Sequence, residues 1–274
     1  MSAVLFFAAI ALVTAMPVGL LLLKWSFPAA LLLSLGAFLL YQLIYILYLW
    51  LLAQRIPLDK PLEKQDPRIT FGIGFLSGAL NVYWGIRPIV TGAEKLPKDG
   101  RFLFICNHRS ACDPIVVMDR LRDYHISFVS KPSNLHIPVL GRIVAAAGYL
   151  SIDRDNNRSA LKTILTAADY MKRNVCSIGI YPEGTRSKTG DLLPFHAGSF
   201  KAAQRAGVPV AVASLSGSEK LRHFRFLAGN RVHLNIITVL PADTVCALRT
   251  EKLSEYTRDL ILKDLEDQKA QVTP

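Results

Sequence analysis

The sequence predicts an α/β domain, with a partly parallel β-sheet flanked by helices, behind an N-terminal pair of transmembrane helices. Three observations support this. Two long uncharged apolar runs open the chain, nearly all charge lies after them, and short β-branched runs then alternate with amphipathic segments. Such alternation is typical of α/β folds. We expect a helical hairpin at 1–54, a linker with an interfacial helix at 55–84, and the α/β domain at 85–274.

The two apolar runs extend over Ala3–Leu23 and Phe27–Ala53. Each is long enough to cross a bilayer, which requires about 20 apolar residues. Basic residues concentrate after the second run, so the positive-inside rule predicts an integral membrane protein with its α/β domain on the cytoplasmic face. A cleaved signal peptide is disfavoured because no Lys or Arg precedes the first run. A re-entrant hairpin remains an alternative.

Charge in the rest of the chain is strongly basic. The part of the chain after residue 53 contains 31 of the 32 Lys and Arg residues and all 21 acidic residues, so its net charge is +10. A basic domain next to apolar helices suits an anionic membrane surface. Nucleic acid is the other common partner of basic proteins, but the sequence has no helix-turn-helix, zinc-finger or RNP-like pattern. The four cysteines lack C-x-x-C spacing, so we expect neither a zinc site nor a disulfide framework.

The α/β domain is expected to contain five strands and three helices, with one further helix, Ile69–Trp84, before it. The strands are predicted at Arg87–Val90, Phe102–Cys106, Cys176–Tyr181, Val208–Leu215 and Val232–Leu240, and the helices at Ser159–Lys172, Ser199–Ala206 and Glu251–Gln268. The glycines at 72, 74 and 78 do not form a dinucleotide loop, because their spacing is wrong and no strand precedes them. Reactive residues in such folds gather in loops beyond the strand ends.

The segment F-L-F-I-C-N-H-R-S-A-C-D-P, residues 102–114, is the most informative. An apolar strand ends near His108, and Asp113 follows five residues later, so a loop can bring the carboxylate to one imidazole nitrogen. Pro114 suits the first turn of a helix with Asp113 as its N-cap. A paired aspartate fixes the tautomer of a histidine that acts as a base. The alternative is a capped turn with an ordinary loop histidine.

A second segment, I-Y-P-E-G-T-R-S at 180–187, follows a predicted strand. Gly184 allows backbone to approach a ligand closely. Thr185 and Arg186 provide hydroxyl and guanidinium donors suited to phosphate. By itself this segment is also compatible with a solvated turn.

Together the two segments resemble the glycerol-phosphate and lysophosphatidate acyltransferase family, which is marked by N-H-x-x-x-x-D and then E-G-T-R. The resemblance spans roughly residues 87–215 and includes an intermediate block, here Lys131, 138–141 and 148–154. F-H-A-G at 195–198 resembles the family's F-K-x-G, with His196 in place of lysine. V-P-V-A-V at 208–212 departs from V-P-[IV]-x-P because the second proline is missing, which bears on the pocket more than on the reaction class.

The resemblance implies transfer of a fatty acyl group from acyl-CoA or acyl-carrier protein to the sn-2 hydroxyl of 1-acylglycerol 3-phosphate, giving phosphatidate. It implies that His108 is the general base, that Asp113 orients it, and that no metal or bound cofactor is needed. The implied substrate-binding residues are Asn107, Arg109, Lys131, Arg154, Glu183, Gly184, Thr185 and Arg186.

Several alternatives remain open at this point. The acceptor could be glycerol 3-phosphate, another lysophospholipid or a lyso amino-lipid. A different class is a non-catalytic membrane lipid-binding protein that keeps the fold. A basic cluster is a solvated or lipid-facing patch, or a site for the phosphates of CoA; its members are Lys220, Arg222, His223, Arg225 and Arg231.

Overall fold

The computed structural model of the protein describes residues 3–24, 26–153, 156–187, 190–221 and 229–272. The helices are α1 Ala3–Pro17, α2 Phe27–Gln54, α3 Pro67–Tyr83, α4 Asp113–Arg120, α5 Pro132–Leu135, α6 Leu140–Ala146, α7 Asn157–Lys172, α8 Lys201–Ala206, α9 Ala242–Ala247 and α10 Thr250–Val272. The strands are β1 Ile86–Thr91, β2 Leu103–Cys106, β3 Ile126–Ser130, β4 Leu150–Ser151, β5 Ser177–Ile180, β6 Val210–Ser216 and β7 Asn230–Leu240.

The first two helices form the predicted apolar hairpin. Val4–Leu22 and Phe27–Gln54 have mean hydropathies of 2.5 and 2.1, and both are long and apolar enough to cross a membrane. The helices approach closely near the tip, where a Cβ at Gly19 would lie 2.9 Å from the Cβ of Ala30. The Thr14 and Tyr41 hydroxyls, 2.8 Å apart, share a hydrogen bond between the helices. The hairpin is thus a packed pair of apolar helices, and its crossing of the membrane as two spans stays a prediction.

Seven strands form one sheet in the order β1-β7-β6-β2-β5-β3-β4. The five strands from β6 to β4 are parallel, whereas β7 is antiparallel to β6 and β1 is parallel to β7. The partly parallel sheet predicted from the sequence is thus confirmed. β2 and β5 are buried along their whole length, as expected for parallel strands covered by helices on both faces. We call the edge at which the five parallel strands end the carboxyl edge.

Two apolar cores cover the two faces of the sheet. On one face, α7, α8 and α10 pack against the sheet, with Phe200 and Leu253 fully buried. On the other face, α4 packs against Phe104 and Leu234. The strands β3 and β4, which have five and two residues, were not predicted from the sequence. The predicted strands and helices all occur in the structure, with ends that differ by a few residues.

Helix α3 packs against both the hairpin and α4, with its glycine face buried and Phe71 exposed; its position at a membrane interface stays a prediction. A Cβ at Gly74 would lie 2.9 Å from the Cβ of Arg122, and one at Gly78 would lie 3.0 Å from Oδ1 of Asp119. Asn81 Nδ2 donates to Asp119 Oδ2 at 3.0 Å. The glycines therefore serve close helix packing, and this packing ties the hairpin to the helix that carries Asp113.

The contacts of α3 also set the direction of the hairpin. α3 begins near the amino end of β3, where Gln65 Nε2 donates to Ser127 Oγ at 2.9 Å. It ends just before β1, whose first residue pairs with the first residue of β7 at the carboxyl edge. α2 runs antiparallel to α3, since its last turns pack on the start of α3 and Tyr83 donates to Gln42 at 2.6 Å. The hairpin tip therefore points beyond the carboxyl edge.

Candidate active site

His108 and Asp113 meet at the carboxyl edge, directly after β2. His108 Nδ1 lies 2.9 Å from Asp113 Oδ2. Because a carboxylate oxygen only accepts, Nδ1–H is the donor, and the neutral ring presents the Nε2 lone pair on its other side. The histidine side chain is 19% exposed, whereas the aspartate side chain is fully buried. The predicted pair is thus formed, with the geometry of a histidine that can accept a proton at Nε2.

The Asp113 carboxylate is fixed by the loop that precedes it. Oδ2 also accepts from the backbone N–H of Arg109 at 2.7 Å and of Ser110 at 2.8 Å. The prediction that Asp113 is an N-cap is wrong, because it is the first residue of α4 and Cys112 occupies the cap position. Its carboxylate is directed back at the loop, so it orients His108 instead of satisfying helix amides.

The imidazole of His108 stacks on Tyr181, the residue after β5. The ring centroids are 4.2 Å apart and the planes differ by 15°. Tyr181 stacks in turn on Phe128 of β3, at 5.2 Å and 8°. The Tyr181 hydroxyl is buried and finds no partner in the described part of the chain, and burial raises the pKa of this phenol far above its ordinary value. The sequence reasoning missed both rings; the position of Tyr181 beside the P-E-G-T-R motif was the available signal.

The buried carboxylate of Glu183 accepts two backbone hydrogen bonds in the site. Its Oε1 accepts from the backbone N–H of His108 at 2.6 Å, and its Oε2 accepts from that of Leu193 at 3.0 Å. The side chain is buried, and burial raises the pKa of the carboxyl despite the opposing effect of these two hydrogen bonds. Gly184 follows with φ +73°, a conformation that favours glycine. The carboxylate therefore joins the loop after β2 to the connection after β5, to which both Glu183 and Leu193 belong; its role in substrate binding stays a prediction.

Three of the remaining predicted residues are exposed at the same edge. Thr185 and Arg186 are exposed directly after Gly184, and Lys131 is exposed directly after β3. The parallel register pairs Phe128 with Gly179, which puts Lys131 level with Pro182. Two cations and a hydroxyl thus stand on the edge that carries His108. Arg154 lies outside the described residues.

Asn107 and Arg109 flank the histidine with buried side chains. The Asn107 amide donates to the Leu215 carbonyl at 2.9 Å and accepts from its N–H at 2.7 Å, which joins the end of β2 to β6. The Arg109 side chain is 7% exposed, with Nη1 3.9 Å from Glu219 Oε2. Both side chains are within the site's framework, and their predicted contact with substrate is untested.

Cys112, the residue before Asp113, is the thiol closest in sequence to the pair. Cys112 is buried, and burial raises the pKa of its thiol, which disfavours a thiolate. Among the described residues no group of three His, Cys, Asp or Glu side chains could hold a metal ion. Of the basic cluster, Arg222, His223 and Arg225 lie outside the described residues.

Comparisons with known proteins agree with the motifs. A family model described as Acyltransferase matches residues 87–216. The 1-acyl-sn-glycerol-3-phosphate acyltransferase of Borreliella burgdorferi is 31% identical over 186 residues, which cover 66% of this chain and 73% of that protein. The protein of the same name from Escherichia coli strain K12 is 29% identical over 201 residues, 73% of this chain and 76% of that protein.

A solved structure shares the fold. The crystal structure of the 1-acyl-sn-glycerophosphate (LPA) acyltransferase from Thermotoga maritima superposes with a TM-score of 0.64 at 24% sequence identity. The match covers 76% of this chain and 82% of the other. It therefore includes more than the α/β domain alone.

Proposed function

The chain belongs to the acyltransferase family that includes the 1-acyl-sn-glycerol-3-phosphate acyltransferases, and on this premise we propose that it acylates the sn-2 hydroxyl of 1-acylglycerol 3-phosphate, giving phosphatidate. The donor is a fatty acyl thioester, either acyl-CoA or acyl-carrier protein. The single observation that carries the mechanism is the hydrogen bond between His108 Nδ1 and buried Asp113, which leaves Nε2 as the ring nitrogen that can accept a proton.

In the proposed reaction, His108 Nε2 takes the proton of the acceptor hydroxyl as its oxygen attacks the thioester carbonyl carbon. A C–O bond forms, and the carbonyl electron pair moves onto oxygen. When that pair returns, the C–S bond breaks, and the leaving thiolate takes the proton from the imidazolium. Asp113 holds the ring in the required tautomer and stabilises its charged form. General-base assistance of this kind contributes about 10²–10⁴-fold in rate.

We assign the acceptor phosphate to Lys131, Thr185 and Arg186, which are exposed at the carboxyl edge, and to Arg154, as the family resemblance implies. Arginine suits bidentate contact with phosphate, and lysine acts as a point charge. The acceptor's acyl chain stays in the bilayer. The hairpin tip points beyond the carboxyl edge, so this edge is the side of the domain that is directed towards the membrane. The domain lies on the cytoplasmic face in this proposal, where soluble thioester donors are available.

The test is a donor and acceptor panel with the full-length protein in phospholipid vesicles. Acyl-CoA and acyl-carrier protein are each paired with lysophosphatidate, glycerol 3-phosphate, lysophosphatidylcholine and a lyso amino-lipid. We expect lysophosphatidate to give the highest kcat/KM. A higher value with another acceptor transfers the proposal to that lipid, and lysophosphatidate binding without transfer from any donor identifies a non-catalytic lipid-binding protein.

Two variants test the assignment of residues. His108→Ala should abolish transfer while protein level and vesicle association stay near wild type; undiminished turnover would overturn the mechanism. Arg186→Ala should raise the KM for lysophosphatidate at least about ten-fold, which corresponds to loss of one charge-assisted contact. An unchanged KM would remove Arg186 from the phosphate site. Protease protection in sealed cells tests the predicted orientation.

A further inference from the structure

A turn of the α/β domain carries three large aliphatic side chains that are close to half exposed. Ile137, Val139 and Leu140 are 46%, 41% and 46% exposed. Ile137 and Val139 lie between α5 and α6, and Leu140 is the first residue of α6. Single exposed aliphatic residues are common, but a contiguous apolar patch marks an interaction site. We call residues 137–140 the apolar turn.

The backbone holds the apolar turn in an uncommon conformation. Val139 has φ +64° and ψ −61°, and Leu140 N donates to the Pro138 carbonyl at 2.7 Å. This is the rare form of the γ-turn, which is strained for a β-branched residue. A second bond, from Gly141 N to the Ile137 carbonyl at 2.8 Å, closes the turn. The turn therefore has a strained backbone conformation in which three aliphatic side chains are exposed.

The apolar turn adjoins the membrane hairpin. It leads directly into α6, whose Ile143 and Ala146 pack against Leu49 and its neighbours in the last turns of α2. In the same part of α2, Leu51 is 50% exposed. The turn therefore leads into a helix that packs on the end of the hairpin, where α2 also has an exposed aliphatic side chain.

The apolar turn lies in the connection that leaves the carboxyl edge at the end of β3. β3 is parallel to β5 and through it to β2, the strand that leads to His108. The side chain of Lys131, at the start of the same connection, is exposed. Exposed aliphatic residues next to basic ones are typical of segments that lie in the interface of an anionic bilayer.

From these observations we propose that the apolar turn inserts into the lipid bilayer as a second membrane contact, separate in sequence from the hairpin. Ile137, Val139 and Leu140 enter the boundary between head groups and acyl chains. The hairpin and the adjoining turn then hold the domain at two points. The carboxyl edge then keeps a fixed tilt towards the leaflet.

Site-specific fluorescence tests the contact without reference to activity. Cys106, Cys112 and Cys176 are buried and Cys246 is exposed, so Cys246→Ser provides a background for single labelling. An environment-sensitive NBD label is placed by Ile137→Cys or Leu140→Cys. Leu21→Cys at the hairpin tip is the positive control, and Tyr256→Cys on α10, 48% exposed, is the matched negative control.

The labelled full-length proteins are reconstituted in phosphatidylethanolamine–phosphatidylglycerol vesicles with and without nitroxide-labelled lipid. We expect labels at 137 and 140 to be blue-shifted and quenched by the nitroxide, as at 21, and the label at 256 to be unaffected. Labels at 137 and 140 that behave like 256 while 21 is quenched would overturn the proposal. So would shielding that depends on protein concentration instead of lipid, because a second protein molecule would then cover the turn.

A kinetic readout rests on the proposed function. The double variant Ile137→Ser, Leu140→Ser should raise the KM for vesicle-borne lysophosphatidate about five-fold, because lost insertion weakens the orientation of the domain. Its kcat with a short-chain, water-soluble acceptor should match wild type, as should both constants of Tyr256→Ser. An unchanged vesicle KM would count against the contact, whereas absence of transfer in wild type would count only against the proposed function.

Discussion

The imidazole of His108 lies face to face with the phenol ring of Tyr181, with 4.2 Å between the ring centroids. Together with the Asp113 hydrogen bond at its edge, this contact restricts rotation of the ring about its last side-chain bond. An aromatic face also stabilises a cation, by about 0.5–2 kcal/mol. In the proposed reaction, the stacking therefore stabilises the imidazolium of His108.

Two substitutions of Tyr181 distinguish the role of its ring from the role of its hydroxyl. Tyr181→Phe keeps the stacking and removes a buried hydroxyl that has no partner among the described residues, so kcat should stay near wild type and the Tm should be equal or higher. Tyr181→Leu removes the aromatic face and should lower kcat about ten-fold with little change in KM. Steady-state kinetics and thermal unfolding in detergent check both. Equal kcat values for the two variants would refute a role for the stacking.

Asp113→Asn tests the orientation of the histidine. The single carbonyl oxygen of asparagine can accept the three N–H groups that meet at Asp113 Oδ2, so the loop should keep its shape while the charge is lost. We expect kcat to fall about 10²–10⁴-fold with an unchanged circular dichroism spectrum. Asp123→Asn, an exposed residue beyond α4, is the matched control. A kcat within two-fold of wild type in Asp113→Asn would contradict the role of Asp113.

Glu183 should make stability depend on pH in a defined direction. Burial raises the pKa of its carboxyl above the ordinary 4.5, so between 4.5 and the raised value the folded state binds more protons than the unfolded state. Stability then falls as pH rises through that window. Glu183→Gln removes this dependence, and the Tm advantage of wild type over Glu183→Gln should be largest at the acidic end. Parallel Tm curves from pH 4 to 8 would refute it.

The same variant should also destabilise the site at neutral pH. A glutamine side chain has one acceptor for the two N–H groups of His108 and Leu193, so one of them is left unpaired. The expected cost is about 1–3 kcal/mol, measured as a lower Tm. Glu219→Gln, at the rim of the same site, is the control and should change the Tm much less.

The glycine face of α3 should not tolerate side chains. At Gly74 an added Cβ meets the Cβ of Arg122 at 2.9 Å and the Met118 carbonyl at 3.0 Å, so Gly74→Leu forces α3 away from α4. We expect a loss of about 1–3 kcal/mol and lower activity, because α4 carries Asp113. At Gly36 in α2, an added Cβ has no heavy atom of the described residues within 4 Å, so Gly36→Leu should leave the Tm unchanged. Equal Tm values for the two variants would contradict the packing.

Local patterns in the sequence determined much of this protein. The apolar hairpin, the buried strands and the long amphipathic helices follow from composition and period within single segments. The His108–Asp113 pair follows from a five-residue spacing at a strand end, which lets a short loop close on itself. These features depend on residues that are near one another in the chain, so the sequence displays them directly.

Tertiary structure decided the rest, because it depends on residues far apart in the chain. The five-residue β3 and two-residue β4 are too short to show a pattern, and their pairing places Phe128 and Tyr181 behind His108. Glu183 accepts N–H groups from residues 75 and 10 positions away in the chain, so spacing could not distinguish this carboxylate from one that contacts a ligand. The glycines of α3 identify a neighbouring helix only once α4 packs there. Hydrogen-bond partners and buried neighbours depend on how the sheet assembles, whereas the sequence shows only which residues are able to form such contacts.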